Sequence, residues 1–150
     1  MTTYQKELLF EVLPDIEPLL AMHYEELTLN KARIVLNPMW EKYALLEQAG
    51  VLNIYTARQE GKLIGYSWFF INQHMHYADL TVAVNDVLFL HPEYRTGRTG
   101  IRLIQYCELE LEKQLGKFKM VWHAKLVNDL ADILKRMGYQ TEEVMMAKIF

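Results

Sequence analysis

The chain is short of cysteine. Cys107 is its only one, so no internal disulfide forms and the fold asks for no oxidising compartment. Long apolar runs are missing too, and none approaches the roughly 18–20 residues of a membrane span. Charge of one sign is not in surplus. A net charge of −3 argues against a general nucleic-acid or membrane-surface binder, while leaving room for a local basic patch. Met1 to Glu7 are polar and charged, without the apolar core of a secretory signal. Internal repeats, low-complexity tracts and linkers are absent. These absences predict a cytoplasmic protein with no membrane partner, no nucleic-acid partner and no metal site.

What is present is a chain of 150 residues, 51% of them hydrophobic. That is enough to bury one real core, so residues 1–150 read as a single domain. Alternation over Lys6 to Val12 predicts a first strand. Pro14 and Pro18 frame Asp15-Ile16-Glu17 and predict a helix start, with the helix running to about Leu29. Asn37-Pro38 predicts a second start, with Trp40, Tyr43, Ala44 and Leu46 as the apolar side and Gly50 as the stop. Leu52 to Arg58 and Leu63 to Ile71 predict a hairpin around Gln59-Glu60-Gly61-Lys62. Tyr77 to Leu90 predicts a long strand with a bulge near Asn85-Asp86, where two polar residues interrupt it. A helix follows from about Thr99 to Leu115, stopped by Gly116. Then come a strand over Lys119 to Lys125, a helix capped by Asn128 and stopped by Gly138, and a strand over Val144 to Phe150. The order is β-α-α-β-β-β-α-β-α-β. It predicts an α/β fold with a mixed central sheet and helices on both faces.

The stretch from Asn85 to Ile104 is the most informative. An apolar strand ends at His91-Pro92. Arg95-Thr96-Gly97-Arg98-Thr99-Gly100 then opens directly into a helix. Backbone N–H groups converge at such a helix start and the dipole favours an anion. No Gly-Lys-Ser/Thr follows, so this is not a P-loop. The glycine spacing and the late position exclude a Rossmann fingerprint.

These residues and the element order resemble the GNAT superfamily of acetyl-CoA-dependent N-acyltransferases, and in particular its small bacteriophage-type members. Leu88 to Arg95 matches the strand and turn before the family's pyrophosphate loop, R/Q-x-x-G-x-G/A. Arg95 and Gly100 match that loop. Arg98 stands where the family usually has Gly, and a glycine stands one place earlier, at Gly97. Asn128, Ala131 and Gly138-Tyr139 echo the family's pattern around its last helix. The resemblance implies transfer of an acetyl group from acetyl-CoA to a primary amine of a small molecule or protein, by direct attack. It implies that the loop from Arg95 through Thr96, Gly97, Arg98 and Thr99 to Gly100 binds the pyrophosphate, with Arg102 also available to neutralise it. It implies that the backbones of Leu88 and Leu90 pair with the pantetheine arm, that an N–H near Leu90 stabilises the oxyanion, and that Asn128 contributes to the cofactor site. Homodimers are frequent in the family.

Amine transfer needs a proton acceptor. Asp86 is the first candidate; counting by two along the strand gives it the same face as Leu88 and Leu90. A bulge-stabilising or arginine-paired Asp is the structural alternative. The family often has a Tyr as general acid at the position of Leu134. Its replacement turns attention to His123, with His74, His76 and Tyr24 as further substitutes. It also keeps open a second reading, a non-catalytic acyl-CoA-binding or interaction protein on the same scaffold. Glu25 and Glu26 could hold a cationic amine or simply face solvent.

Overall fold

Residues 1–150 are described by a computed structural model. Five strands form one sheet in the order β1-β2-β3-β4-β5. They are β1 (Thr2–Glu7), β2 (Leu52–Gln59), β3 (Lys62–Gln73), β4 (Thr81–Leu90) and β5 (Lys119–Val121). The first four pair antiparallel, and β5 pairs parallel with β4. The β2–β3 turn is as tight as its residues predict: Glu60 and Gly61 both take positive φ, 49° and 80°, as a two-residue hairpin with matching twist requires.

Four helices cover the sheet: α1 (Leu9–Leu27), α2 (Trp40–Gln48), α3 (Thr99–Leu115) and α4 (Leu130–Arg136). Leu9, Val12, Ile16 and Leu19 of α1 pack with Leu52, Ile54, Tyr66, Trp68 and Phe89, and α2 joins them on that face. Leu103, Cys107 and Leu111 of α3 pack with Tyr55, Ile64, Phe69 and Leu90 on the other. The predicted mixed sheet with helices on both faces is the observed fold.

Three expectations are corrected. The first strand lies earlier, over Thr2–Glu7, because Leu8 and Phe10 are exposed and their alternation marks no strand. The helix assigned to start at Pro14 starts at Leu9 and contains both Pro14 and Pro18. An interior proline costs about 3 kcal/mol. Burial of Leu9, Val12, Ile16 and Leu19 outweighs it at roughly 1.5–3 kcal/mol per large side chain, and the carboxylates of Glu11 and Glu47 accept the N–H groups of Leu8 and Leu9. Third, Val144 to Phe150 forms no strand, and β5 ends at Val121. The segment makes no backbone hydrogen bond to the free outer edge of β5, and without that ladder its apolar alternation forms no strand; Val144, Met145, Met146 and Phe150 stay exposed.

Candidate active site

The site is built on an irregularity of β4. Trp68 of β3 faces Val87, but Phe69 faces Asn85. Asp86 is therefore the extra residue of a β-bulge, where polar residues predicted one. Asn85 pins it: its buried side-chain amide lies 3.1 Å from Ser67 Oγ, 3.1 Å from the Trp68 carbonyl and 3.0 Å from the Val87 carbonyl. The bulge breaks the period-two count by one residue. Leu88 and Leu90 pack on the α3 face. Asp86 instead turns to the α2 face, where the Tyr43 hydroxyl donates to its Oδ2 at 2.8 Å. The expected common face of Asp86, Leu88 and Leu90 is thus corrected.

Burial pushes the Asp86 carboxyl above its ordinary range; the Tyr43 hydrogen bond and the charge of His123 oppose this. His123 lies just beyond β5 and is exposed. Burial first, and the Asp86 charge second, push the Tyr43 hydroxyl up, so it remains a donor. Tyr43 meets Trp68 edge-on at 5.2 Å and stacks on Phe70 at 6.1 Å. A groove of about 280 Å³ opens beside this pair, walled by Trp40, Tyr43, Trp68, Val87 and the α1–α2 loop.

On the far side of β4 the sheet splays. Pairing with β5 ends at Val84↔Val121, while β4 runs on to Leu90. The His91 N–H bonds back to the Ile64 carbonyl of β3 at 2.7 Å. Backbone direction alternates along a strand, so Leu88 and Leu90 direct their N–H and C=O groups away from β3, towards the gap. The Leu90 carbonyl is taken by Arg95 Nε at 2.7 Å; no strand covers the rest.

The gap leads to the glycine loop. After a 3-10 turn at Pro92–Tyr94, Gly97 takes φ +83°, the left-handed region that favours glycine. Arg98 follows with φ −110° as the N-cap of α3. The glycine one place early therefore does the turning, and an arginine at the next position is unstrained. The backbone N–H groups from Thr96 to Ile101, Thr99 and Gly100 among them, have no acceptor in the protein. That is an anion cradle at a helix start. Arg98 also borders a groove of about 400 Å³ between α3 and α4, with Arg136 on its rim. The Arg102 side chain is exposed nearby.

Arg95 is spent differently from expectation. Its Nη1 and Nη2 each reach Glu26 at 2.6 Å, its Nε holds the Leu90 carbonyl, and its guanidinium lies 5.5 Å from the Phe89 ring centre. Its N–H donates to the Pro92 carbonyl. Arg95 is a strut between α1, β4 and the loop. Glu26, hydrogen-bonded by Arg95, is held below the usual carboxylate range. Asn128 Oδ1 accepts from the Leu130 N–H at 3.1 Å, which holds it against the first turn of α4, one residue before the Asp129 N-cap rather than at the cap itself. Leu134 is buried. Tyr139 cannot stand in for the missing tyrosine, since its hydroxyl is held 2.7 Å from Glu108. The Tyr24 hydroxyl sits against the Lys31 and Ile34 carbonyls. His74 and His76 lie in the β3–β4 turn, at the end of β4 away from the glycine loop. Reading the sequence missed Tyr43, Trp68 and the Glu26–Arg95 pair. An aromatic residue on the apolar side of a helix or strand reads as core, and nothing in the pattern marks its hydroxyl.

The model of the acetyltransferase (GNAT) family matches residues 16–139. The chain belongs to that family. Solved GNAT-like structures share its fold at low identity. A ribosomal-protein-alanine N-acetyltransferase from Brucella melitensis biovar Abortus 2308 is 17% identical, with a TM-score of 0.72 over 100% of this chain and 99% of that one. Glucosamine-6-phosphate N-acetyltransferase from Arabidopsis thaliana is 14% identical, with a TM-score of 0.73 over 100% and 99%. A predicted acetyltransferase with acetyl-CoA from Clostridium acetobutylicum is 11% identical, with a TM-score of 0.73 over 99% and 96%. No curated protein matches this GNAT chain. No helix of it is long and apolar enough to cross a membrane.

Proposed function

We propose that this GNAT protein is an N-acetyltransferase that moves an acetyl group from acetyl-CoA to a primary amine. The observation that carries the reading is the junction on β4. One strand has a half-buried carboxylate at its bulge, an uncovered edge after it, and a loop of unpaired N–H groups at its end. Acetyl-CoA, when bound, supplies an activated acetyl thioester. The residues present suit it. The N–H groups from Thr96 to Ile101, with Arg98 and Arg102, hold the pyrophosphate by hydrogen bonds and charge. The groove between Arg98 and Arg136 has room for the nucleotide end. The free-edge groups of Leu88, and the Leu90 N–H, pair with the pantetheine amides as an added strand would.

Asp86 is the proton acceptor. Its raised proton affinity makes it a better base than a solvated carboxylate. The Tyr43 hydroxyl holds it in place, and His123 passes its proton towards solvent. A free-edge N–H near Leu90 donates to the oxygen on which charge develops during attack. The second reading, acyl-CoA binding without turnover, draws on the buried Leu134, which supplies no acid. The test is CoA thiol release with a panel of primary amines, beside calorimetry with acetyl-CoA alone. Transfer predicts binding and amine-dependent release. Binding without release across the panel selects the second reading.

A further inference from the structure

Resting on the transferase reading, we infer that the acceptor is a small primary monoamine on an apolar or aromatic body, and neither a polyamine nor an aminosugar. The groove beside Asp86 carries the inference. Its lining contains aromatic rings of Trp40, Tyr43 and Trp68 and the aliphatic side chains of Ile34, Val35 and Leu36, and contains no Asp, Glu, Lys, Arg or His. Its space, about 280 Å³, stands at the small end of the ~300–1,000 Å³ typical of ligand pockets. Polar side chains enter the lining only as the neutral Tyr24, Thr28, Asn37 and Tyr43, and the Tyr24 hydroxyl is already held by the Lys31 and Ile34 carbonyls. Tyr43 and Val87 both line it, and the Asp86 carboxylate, next to Val87 in the chain, lies behind that wall, 2.8 Å from the Tyr43 hydroxyl.

No charged residue walls the groove, and Asp86, bonded to the lining Tyr43 and adjacent to the lining Val87, offers the one carboxylate for an ammonium there. A second ammonium would leave water for walls without a carboxylate, a costly transfer. Apolar walls also lower the pKa of the ammonium that does enter. They favour the neutral amine that attacks, with its proton passing to Asp86. The outer wall has the same character: the lining Val35 is 78% exposed. An apolar rim of this kind suits an apolar ligand entering from water.

The experiment uses the full chain with acetyl-CoA and follows CoA release with phenethylamine, hexylamine, spermidine, glucosamine and a lysine peptide. The expected kcat/KM for phenethylamine or hexylamine exceeds that of the other three by at least roughly tenfold, the scale of discrimination in apolar pockets. Val35→Glu, an exposed change that folding tolerates, narrows the phenethylamine-to-spermidine ratio without changing the KM of acetyl-CoA. Spermidine or glucosamine at or above phenethylamine overturns the inference and leaves the transferase reading standing. So does a ratio that Val35→Glu does not move. Failure of acetyl-CoA to bind in calorimetry overturns the transferase reading itself, and this inference with it. If acetyl-CoA binds and no amine of the panel reacts, the transferase reading falls and this inference falls with it.

Discussion

Asp86 and Tyr43 act on each other's protons across 2.8 Å. Burial raises the carboxyl and the tyrosine's hydrogen bond holds it down. Tyr43→Phe removes the second effect only. The acid limb of the pH–rate profile should move to higher pH, while acetyl-CoA affinity stays unchanged. An unmoved limb would detach Tyr43 from the base. Stability follows from the same shift. A carboxyl raised on folding contributes stability that is complete below its unfolded pKa, about 3.9, and is lost as pH rises through the folded value. Asp86→Asn is neutral throughout. It should unfold at higher urea than the parent at pH 7, with the two chains converging below about pH 3.9. His23 follows the opposite sign. Burial lowers it to about 4, so it is neutral at pH 7 and disfavours the fold once protonated in acid.

The bulge is the element on which these residues depend. Asn85→Ala leaves the carbonyls of Trp68 and Val87 without their side-chain donor, at about 1–3 kcal/mol. Thermal unfolding should show a lower Tm, and turnover should fall because Asp86 loses its aim. The Arg95–Glu26 pair is a different case. It is partly exposed, so breaking it costs stability no more than ~1 kcal/mol. It nevertheless ties the loop to α1. Arg95→Ala should therefore weaken acetyl-CoA binding by roughly tenfold, about 1.4 kcal/mol, with a nearly unchanged melting curve. Calorimetry and a melt on the same sample check both halves. The sequence made several of these elements legible. The bulge shows as two polar residues in an apolar run. The helix Thr99–Leu115 shows as an apolar period ended by Gly116. The anion loop shows as glycines between a strand and a helix. The face of Asp86 was not legible, because a bulge shifts every later residue by one. Neither was α1, whose prolines signal a start while its buried side chains extend the helix over them.

In the whole molecule, two faces of one sheet divide the work. On the proposed function, the α3 face and the splay of β4 from β5 would take the cofactor's length and the α1–α2 face the amine; Asp86 looks towards the latter only because the bulge turned it there. Arg95 connects the faces, reaching Glu26 on α1 from the loop before α3. Composition and element order were sufficient for this architecture. They failed at the C-terminal segment, where apolar side chains predict a strand but the segment pairs with none. They were silent on the groove proposed for the acceptor, since its aromatic walls look like core until the loop across them is placed. On the proposed mechanism, Asp86 takes the proton of an amine acetylated at this junction. The most direct measurement is the rate of amine-dependent CoA release at saturating acetyl-CoA for the parent and Asp86→Asn. Asp86→Asn is expected to lose about 10²–10⁴-fold in kcat with unchanged acetyl-CoA affinity; full turnover by Asp86→Asn would exclude Asp86 as the base.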